Sequence, residues 1–192
     1  GIYRDVKLSV TDKVHVAKYG TTITSPKLEE QQNGAVDTLV KSRIVNQDNQ
    51  AHSIYAEYEI VDQNGQVVSE KVRSEVQSVL AGQEINLSHT LHVEKPTLWD
   101  VKTNNPALYT LYTRVYRDSQ LVDVQKERFG YRYLNWTPEG GFFLNGAATK
   151  FHGVSLHHDH GALGAEENYK AEYRRLKQMK DMGVNAIRTT HN

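Results

Sequence analysis

Residues 35–45 read Ala-Val-Asp-Thr-Leu-Val-Lys-Ser-Arg-Ile-Val, and residues 54–61 read Ile-Tyr-Ala-Glu-Tyr-Glu-Ile-Val. In both, apolar residues recur mainly at every second position, the spacing that turns one face of a β-strand to a core and the other to water. The polar run Asn46-Gln47-Asp48-Asn49-Gln50 between them is a turn, and Asp62-Gln63-Asn64-Gly65 turns the chain again into Val67 onward, which predicts a hairpin. Outward from this pair the same period holds from Val14 to about Tyr133. Ile85, Leu87 and Leu91 mark one further strand, Leu111, Tyr112, Val115 and Tyr116 another, and residues 121–129 the last, entered through Arg117-Asp118-Ser119-Gln120.

About seven short strands with turns at this interval predict an immunoglobulin-like β-sandwich over residues 14–133. With no cysteine in the chain, the Cys-Trp-Cys core of antibody-type domains is excluded. After Trp136 the pattern changes. Phe142-Phe143-Leu144, Asn145-Gly146 and residues 147–151 predict a second hairpin, because Asn-Gly supplies the positive φ angles of a tight turn. A strand over 150–156 follows. From about Glu167 to Met182, Tyr169, Tyr173, Leu176 and Met179 share one helical face, and Gly183 closes the helix. Residues 184–188 then read as a buried strand. Strand, helix, strand is a βαβ unit, which predicts two parallel strands in one sheet. Two parallel strands cannot bury both their faces, so residues 134–192 read as the start of a domain that is cut. Phe151, Val154, Val184 and Ile187 are expected to lack partners, which favours self-association of the chain as a homo-oligomer or packing of this unit against the sandwich.

Lys plus Arg and Asp plus Glu number 23 each. A zero formal charge offers no basic face to a phosphate backbone, so a nucleic-acid partner is not expected. The absence of Cys excludes disulfides and thiolate metal sites and leaves the compartment open. No apolar run approaches the ~20 residues that span a bilayer, and no membrane partner is expected. Gly1-Ile2-Tyr3-Arg4-Asp5-Val6 reads as the middle of a strand, so residues 1–13 are assigned as the end of a preceding domain.

Several phrases, in order, resemble glycoside hydrolase family 2, most closely its β-galactosidase branch. Residues 1–6 resemble the last strand of that family's sugar-binding jelly roll. Pro96-Thr97-Leu98-Trp99-Asp100 and Asn105-Pro106-Ala107-Leu108-Tyr109 resemble phrases inside its immunoglobulin-like domain. Phe129-Gly130-Tyr131-Arg132 resembles the phrase closing that domain, and Phe143-Leu144-Asn145-Gly146 the hairpin leading into its (β/α)₈ barrel. Gly153-Val154-Ser155-Leu156-His157-His158-Asp159 is similar to the first barrel strand, and Asn185-Ala186-Ile187-Arg188-Thr189-Thr190-His191 to the second. The resemblance implies a mainly β fold: an immunoglobulin-like sandwich followed by the truncated βαβ start of a (β/α)₈ barrel. It implies exo-acting, retaining hydrolysis of β-linked galactosides by the parent protein. A β-glucuronidase or β-mannosidase of the same family is the alternative.

Retaining hydrolysis needs two carboxyl groups about 5 Å apart. In the family both are glutamates of later barrel strands, so no catalytic residue is expected in this chain and the chain alone is expected to be inactive. Glu166 and Glu167 are adjacent, point in different directions, and suit a helix start electrostatically. Barrel sites are built at the carboxyl ends of strands. By resemblance, His157 faces the sugar at the cleavage subsite, Arg188 orients the nucleophilic glutamate, and Asp159, His191 and Asn192 line the same pocket. A guanidinium suits the second role by donating two parallel hydrogen bonds, and an imidazole suits the first by donating to a sugar hydroxyl. The plainer readings are an ion-pair role for Arg188, a turn role for Asp159 and a solvated tail for His191. His152, His157, His158, Asp159 and His160 also invite a metal reading, but adjacent residues of a strand diverge, and no metal or other cofactor is expected here. The magnesium ligands of some β-galactosidases would lie downstream. Eleven tyrosines raise one further reading, a carbohydrate-binding module with rings stacked on sugars. Strand residues of a spacer explain most of them better.

Overall fold

Alternation along the strands produces two antiparallel sheets in the computed structural model, which describes residues 5–102 and 106–189. Within these residues the fold is mainly β, consistent with an immunoglobulin-like domain. Contacts divide the chain into two units. One holds residues 10–135 and 143–147, and the other holds the described residues of 1–9, 136–142 and 148–192.

In the first unit, β1 (Val14–Thr24), β2 (Ala35–Asn46) and β6 (Glu84–Glu94) form one sheet in the order β1-β2-β6. The other sheet runs β4-β3-β7-β8, from β3 (His52–Val61), β4 (Val72–Arg73), β7 (Tyr109–Arg117) and β8 (Gln120–Phe129), with β5 (Gln77–Val79) also paired to β3. The inward positions of both sheets meet in one core. Val36, Val40, Ile44, Leu87 and Leu91 come from the first sheet, and Ile54, Ala56, Tyr58, Ile60, Leu111 and Val115 from the second. Tyr55 and Tyr58 lie opposite in phase. Tyr58 is in the core, whereas the Tyr55 ring lies stacked on Tyr116 at 4.6 Å with the Arg73 guanidinium over it at 3.8 Å.

The turn at residues 46–50 joins strands of different sheets. The predicted turn at 62–65 is present, with the Asp62 amide donating to Gln66, but the returning chain makes two short edge strands, β4 and β5, in place of one long one. Two features carried no sequence signal that was read. One is a bulge in β1 between Val16 and Thr21, with Tyr19 at φ 55° and 92% exposed. The other is the one-turn helix α1 (Leu28–Gln31), which plugs the sandwich with buried Leu28. Of the strand expected at residues 1–6, residues 1–4 lie outside the described residues, and Asp5 and Val6 are not in a strand.

Tyr131 closes the sandwich. It is 1% exposed, its hydroxyl hydrogen-bonds Thr38 Oγ1 at 2.8 Å, and burial pushes its phenol well above the usual range. Its carbonyl accepts from the Trp99 amide, and a Cβ on Gly130 would lie 3.0 Å from Trp99 Cβ and 3.3 Å from the Ala107 carbonyl oxygen, a tight approach that glycine relieves.

After β9 (Leu134–Thr137), β10 (Gly141–Leu144) turns through Asn145 and Gly146, φ 51° and 76°, into β11 (Ala147–Ala148). That is the expected Asn-Gly hairpin. The second unit then contains β12 (Gly153–Leu156), a 3₁₀ turn at Gly161–Leu163, helix α2 (Tyr169–Asp181) and β13 (Ala186–Thr189). β12 is three residues shorter than the expected 150–156 because Asn185 occupies its approach: its side chain accepts from the His152 amide and donates to the Lys150 carbonyl. α2 starts at Tyr169 because the Asn168 side chain caps it, accepting from the amides of Lys170 and Ala171. At its end Val184 and Gly183 donate to Met179 and Lys180, a Schellman closure. No described helix is long and apolar enough to cross a membrane.

Two predictions follow from the crossing between sheets. Asn46 is 1% exposed and its amide donates to the carbonyls of Gln50, Val79 and Leu80 at 2.9, 3.0 and 3.2 Å. Asn46→Ala removes this donor from all three, the Leu80 carbonyl keeping the Gln83 amide, and is expected to lower stability by about 2 kcal/mol, measured from the urea midpoint. His52 is buried with Nδ1 2.6 Å from Asp118 and Nε2 2.9 Å from Asp48. Both partners are carboxylates, so both ring nitrogens donate and the imidazolium is favoured; Asp48 and then Asp118 raise its pKa above 6.5. The sign follows from that rise: the stabilisation is complete below the unfolded value and fades as pH climbs through the raised folded one. Lys13 and then His52 hold Asp48 below 3.8, and His52 holds Asp118 below it, so their share fades only in acid. The melting-temperature gap between wild type and His52→Asn should stay level between about pH 4.5 and 6 and shrink above that. A gap that widened toward pH 8 would contradict the charged clamp.

Candidate functional site

The second unit places the chemistry-bearing residues of the sequence around one strand pair. β12 and β13 are parallel, with Gly153 opposite Ala186, Val154 opposite Ile187, Ser155 opposite Arg188 and Leu156 opposite Thr189. Both strands therefore end at the same edge, and the residues after Leu156 leave the sheet beside Thr189. Phe151 before β12 and Ile187 of β13 are exposed.

At this edge lies a pocket lined by Leu156, His157, His158, His160, Glu166, Glu167, Glu172, Leu176 and Thr189, with Ala165. His157 is thus on the pocket wall. Asp159 is not among the lining residues, and its main-chain carbonyl accepts from Arg175 Nη1 at 2.5 Å. Arg188 lines a neighbouring hollow with Phe151, Gly153, Val154, Ser155, Ala186 and Ile187, and has no ion-pair partner among the described residues. His191 and Asn192 lie outside the described residues.

Helix α2 supplies a polar network that the sequence reading did not find. Arg175 Nη2 donates to the His157 carbonyl at 2.7 Å and contacts Glu172 Oε1 at 3.4 Å, one helical turn earlier. His160 Nε2 lies 2.9 Å from the same Glu172 oxygen, and its side chain is 6% exposed. Glu172 Oε2 and Arg175 Nε are buried without a hydrogen-bond partner. A signal did exist: Glu172 and Arg175 are spaced i, i+3 on a helix, the spacing at which side chains meet. Their connection to a loop more than ten residues earlier needs the fold. Glu166 and Glu167 lie on the pocket wall just before the helix. Among the described residues no three His, Asp or Glu side chains gather into a set that could hold a metal ion.

The tyrosine faces of the first unit are largely taken. Tyr55 is stacked as described, and Tyr112 has Arg114 at 5.2 Å and Lys126 at 5.1 Å from its ring centre. Tyr109 and Tyr131 meet edge to face in the core at 5.0 Å.

Comparison with known proteins agrees with the whole path of the chain. A β-galactosidase of Bacteroides ovatus is 39% identical over 192 residues, all of this chain and 22% of that protein. A β-glucuronidase of Bacteroides fragilis is 30% identical over 191 residues, again all of this chain and 27% of its own length. The solved structure of a glycosyl hydrolase family 2 member from Bacteroides cellulosilyticus superposes with a TM-score of 0.89 at 31% identity, covering all of this chain and 25% of that one. The chain thus spans about a quarter of the length of the relatives it matches. The family model described as Glycosyl hydrolases, family 2, matches residues 14–132, well over half of the chain. On these matches and on the β architecture they cover, the chain belongs to glycosyl hydrolase family 2.

Proposed function

We propose that this chain is a section of a retaining exo-β-glycosidase that acts on β-galactosides. In this reading residues 1–13 end a preceding domain, residues 14–133 are a spacer sandwich, and residues 134–192 begin a (β/α)₈ barrel. The observation that carries it is the parallel β12–α2–β13 unit, whose two strands finish at one edge beside a pocket that holds His157. Barrel enzymes assemble their sites at that edge. The greater identity to a β-galactosidase than to a β-glucuronidase, 39% against 30%, favours the galactoside reading.

The proposed roles divide between binding and orientation. His157 donates to a hydroxyl of the sugar at the cleavage subsite, and Arg188 orients the attacking carboxylate, with His191 and Asn192 proposed to line the same site. The attacking and proton-donating carboxylates come from later barrel strands, so these residues alone do not hydrolyse a glycoside. A parallel two-strand start also leaves apolar surface for further strands, Ile187 among it, whereas the Phe151 ring, expected to lack a partner, is stacked on Phe142 at 4.6 Å.

The test is a panel of aryl β-galactoside, β-glucuronide and β-mannoside, run on the full-length protein and on these 192 residues. The full-length protein should cleave the galactoside, and this chain none of them. Arg188→Ala should lower kcat by about 100-fold, since misplacing a reacting group by an ångström costs on that order. Preference for the glucuronide would move the protein to the other branch of the family, and turnover by this chain alone would remove the assignment of the carboxylates to later strands.

A further inference from the structure

We propose that Arg175, held in place by Glu172 and His160, is a positioning residue for the pocket. It fixes the loop after β12 so that His157 is presented to the substrate. The inference rests on the reading of His157 as a substrate-facing residue, and its geometry is independent of that reading.

Four consecutive residues, 157 to 160, are pinned at three points, all from α2. The Arg175 guanidinium spans two carbonyls of the loop, donating through Nη2 to His157 and through Nη1 to Asp159. Peptide oxygens just beyond a strand end have left the sheet ladder and need a donor, and a planar fork can serve two at once with fixed spacing. The third point is the His160 ring, nearly buried against Glu172 Oε1. That oxygen also faces Arg175, so one carboxylate sets both the arginine and the histidine. The loop is closed on its far side by the His160 amide, which donates to Gly164. These three anchors act on the backbone of residues 157 and 159 and on the ring of residue 160.

A lysine at position 175 would keep the charge and lose the fork. A compact ammonium cannot reproduce the paired, planar contacts to two oxygens held a set distance apart. The arrangement therefore predicts a difference between charge and geometry that a general stabilising ion pair would not show.

The experiment compares wild type with Arg175→Ala, Arg175→Lys, Glu172→Gln and, as a control, Arg174→Ala in the full-length protein. Aryl β-galactoside kinetics and amide exchange of residues 157–160 are read in each. Arg175→Ala should speed exchange in that loop and lower kcat/KM by about 10- to 100-fold, with kcat sharing in the loss. Arg175→Lys should recover little, and Glu172→Gln, which keeps the shape, should give a loss of a few-fold if the alanine variant fails to fold. Arg174→Ala should match wild type. Exchange or kcat/KM unchanged in an Arg175→Ala variant of an active protein overturns the positioning role, as does full rescue by lysine. A wild type with no glycosidase activity overturns the proposed function, and the exchange data then still decide whether Arg175 holds the loop.

Discussion

Between Asn46 and His52 the chain has to pass from one sheet to the other without leaving polar groups unpaired in the apolar layer. Burying an unpaired amide or carbonyl costs about as much as a hydrogen bond contributes, and a crossing exposes several at once. The last inward position of β2 is accordingly a polar residue. Asn46 donates to the carbonyls of Gln50, Val79 and Leu80, while its own amide donates to Gln83. Gln47 donates to Lys13, which ties the entry of β1 to the same place. On the far side His52 is held by Asp48 from the crossing and by Asp118 from the turn between β7 and β8. The ends of both sheets are thereby fixed together, and the eleven paired positions of β2 with β6 have one register to adopt.

The inward row of β2 alternates a second time. Val36, Val40 and Ile44 fill the core, and Thr38, Ser42 and Asn46 stand between them, all of them buried. Thr38 meets the Tyr131 hydroxyl near one end of the strand and Asn46 meets β5 and its loop at the other. A slip of one residue would turn these polar groups outward and bring Asp37, Lys41 and Arg43 into the core. A slip of two would set Val against Tyr131 and strand a buried hydroxyl. The hydrophobic row drives the sheets together, and the polar positions within it select one alignment.

Sequence pattern exposed the parts of the fold that repeat. The alternation in residues 35–45 and 54–61 located β2 and β3, and the Asn145-Gly146 pair located its turn. It did not reveal that β2 and β3 lie in different sheets, because the polar run between them has the same composition whether the chain folds back or crosses over. Short features were also hidden. A four-residue helix around Leu28 and a bulge at Tyr19 are too short for either pattern to repeat within them. Helix α2 begins at Tyr169, two residues after the periodicity starts, because the Asn168 side chain decides the first turn. Around the pocket, residues close in sequence such as His157 and His158 were legible as a group. Arg188 was grouped with them by resemblance and lies over a neighbouring hollow. Arg175 was passed over as one charge on a helix surface, since its partners are main-chain oxygens 16 and 18 positions away, which no side-chain pattern encodes.

Holding a loop by its peptide oxygens separates how a pocket is built from what it presents. Were residues 157 and 159 held only through their side chains, a substitution there that altered the pocket would also loosen the loop that carries it. Arg175 instead takes the carbonyls of His157 and Asp159, which every residue type supplies, so these two contacts do not depend on which side chain stands at 157. The burden moves to α2, where a guanidinium must be oriented and partly desolvated, and Glu172 with His160 meets that requirement one turn away. The helix then has to be fixed in its own right. The Asn168 cap at its start and the Schellman closure onto Met179 and Lys180 at its end do this without calling on any residue of the pocket.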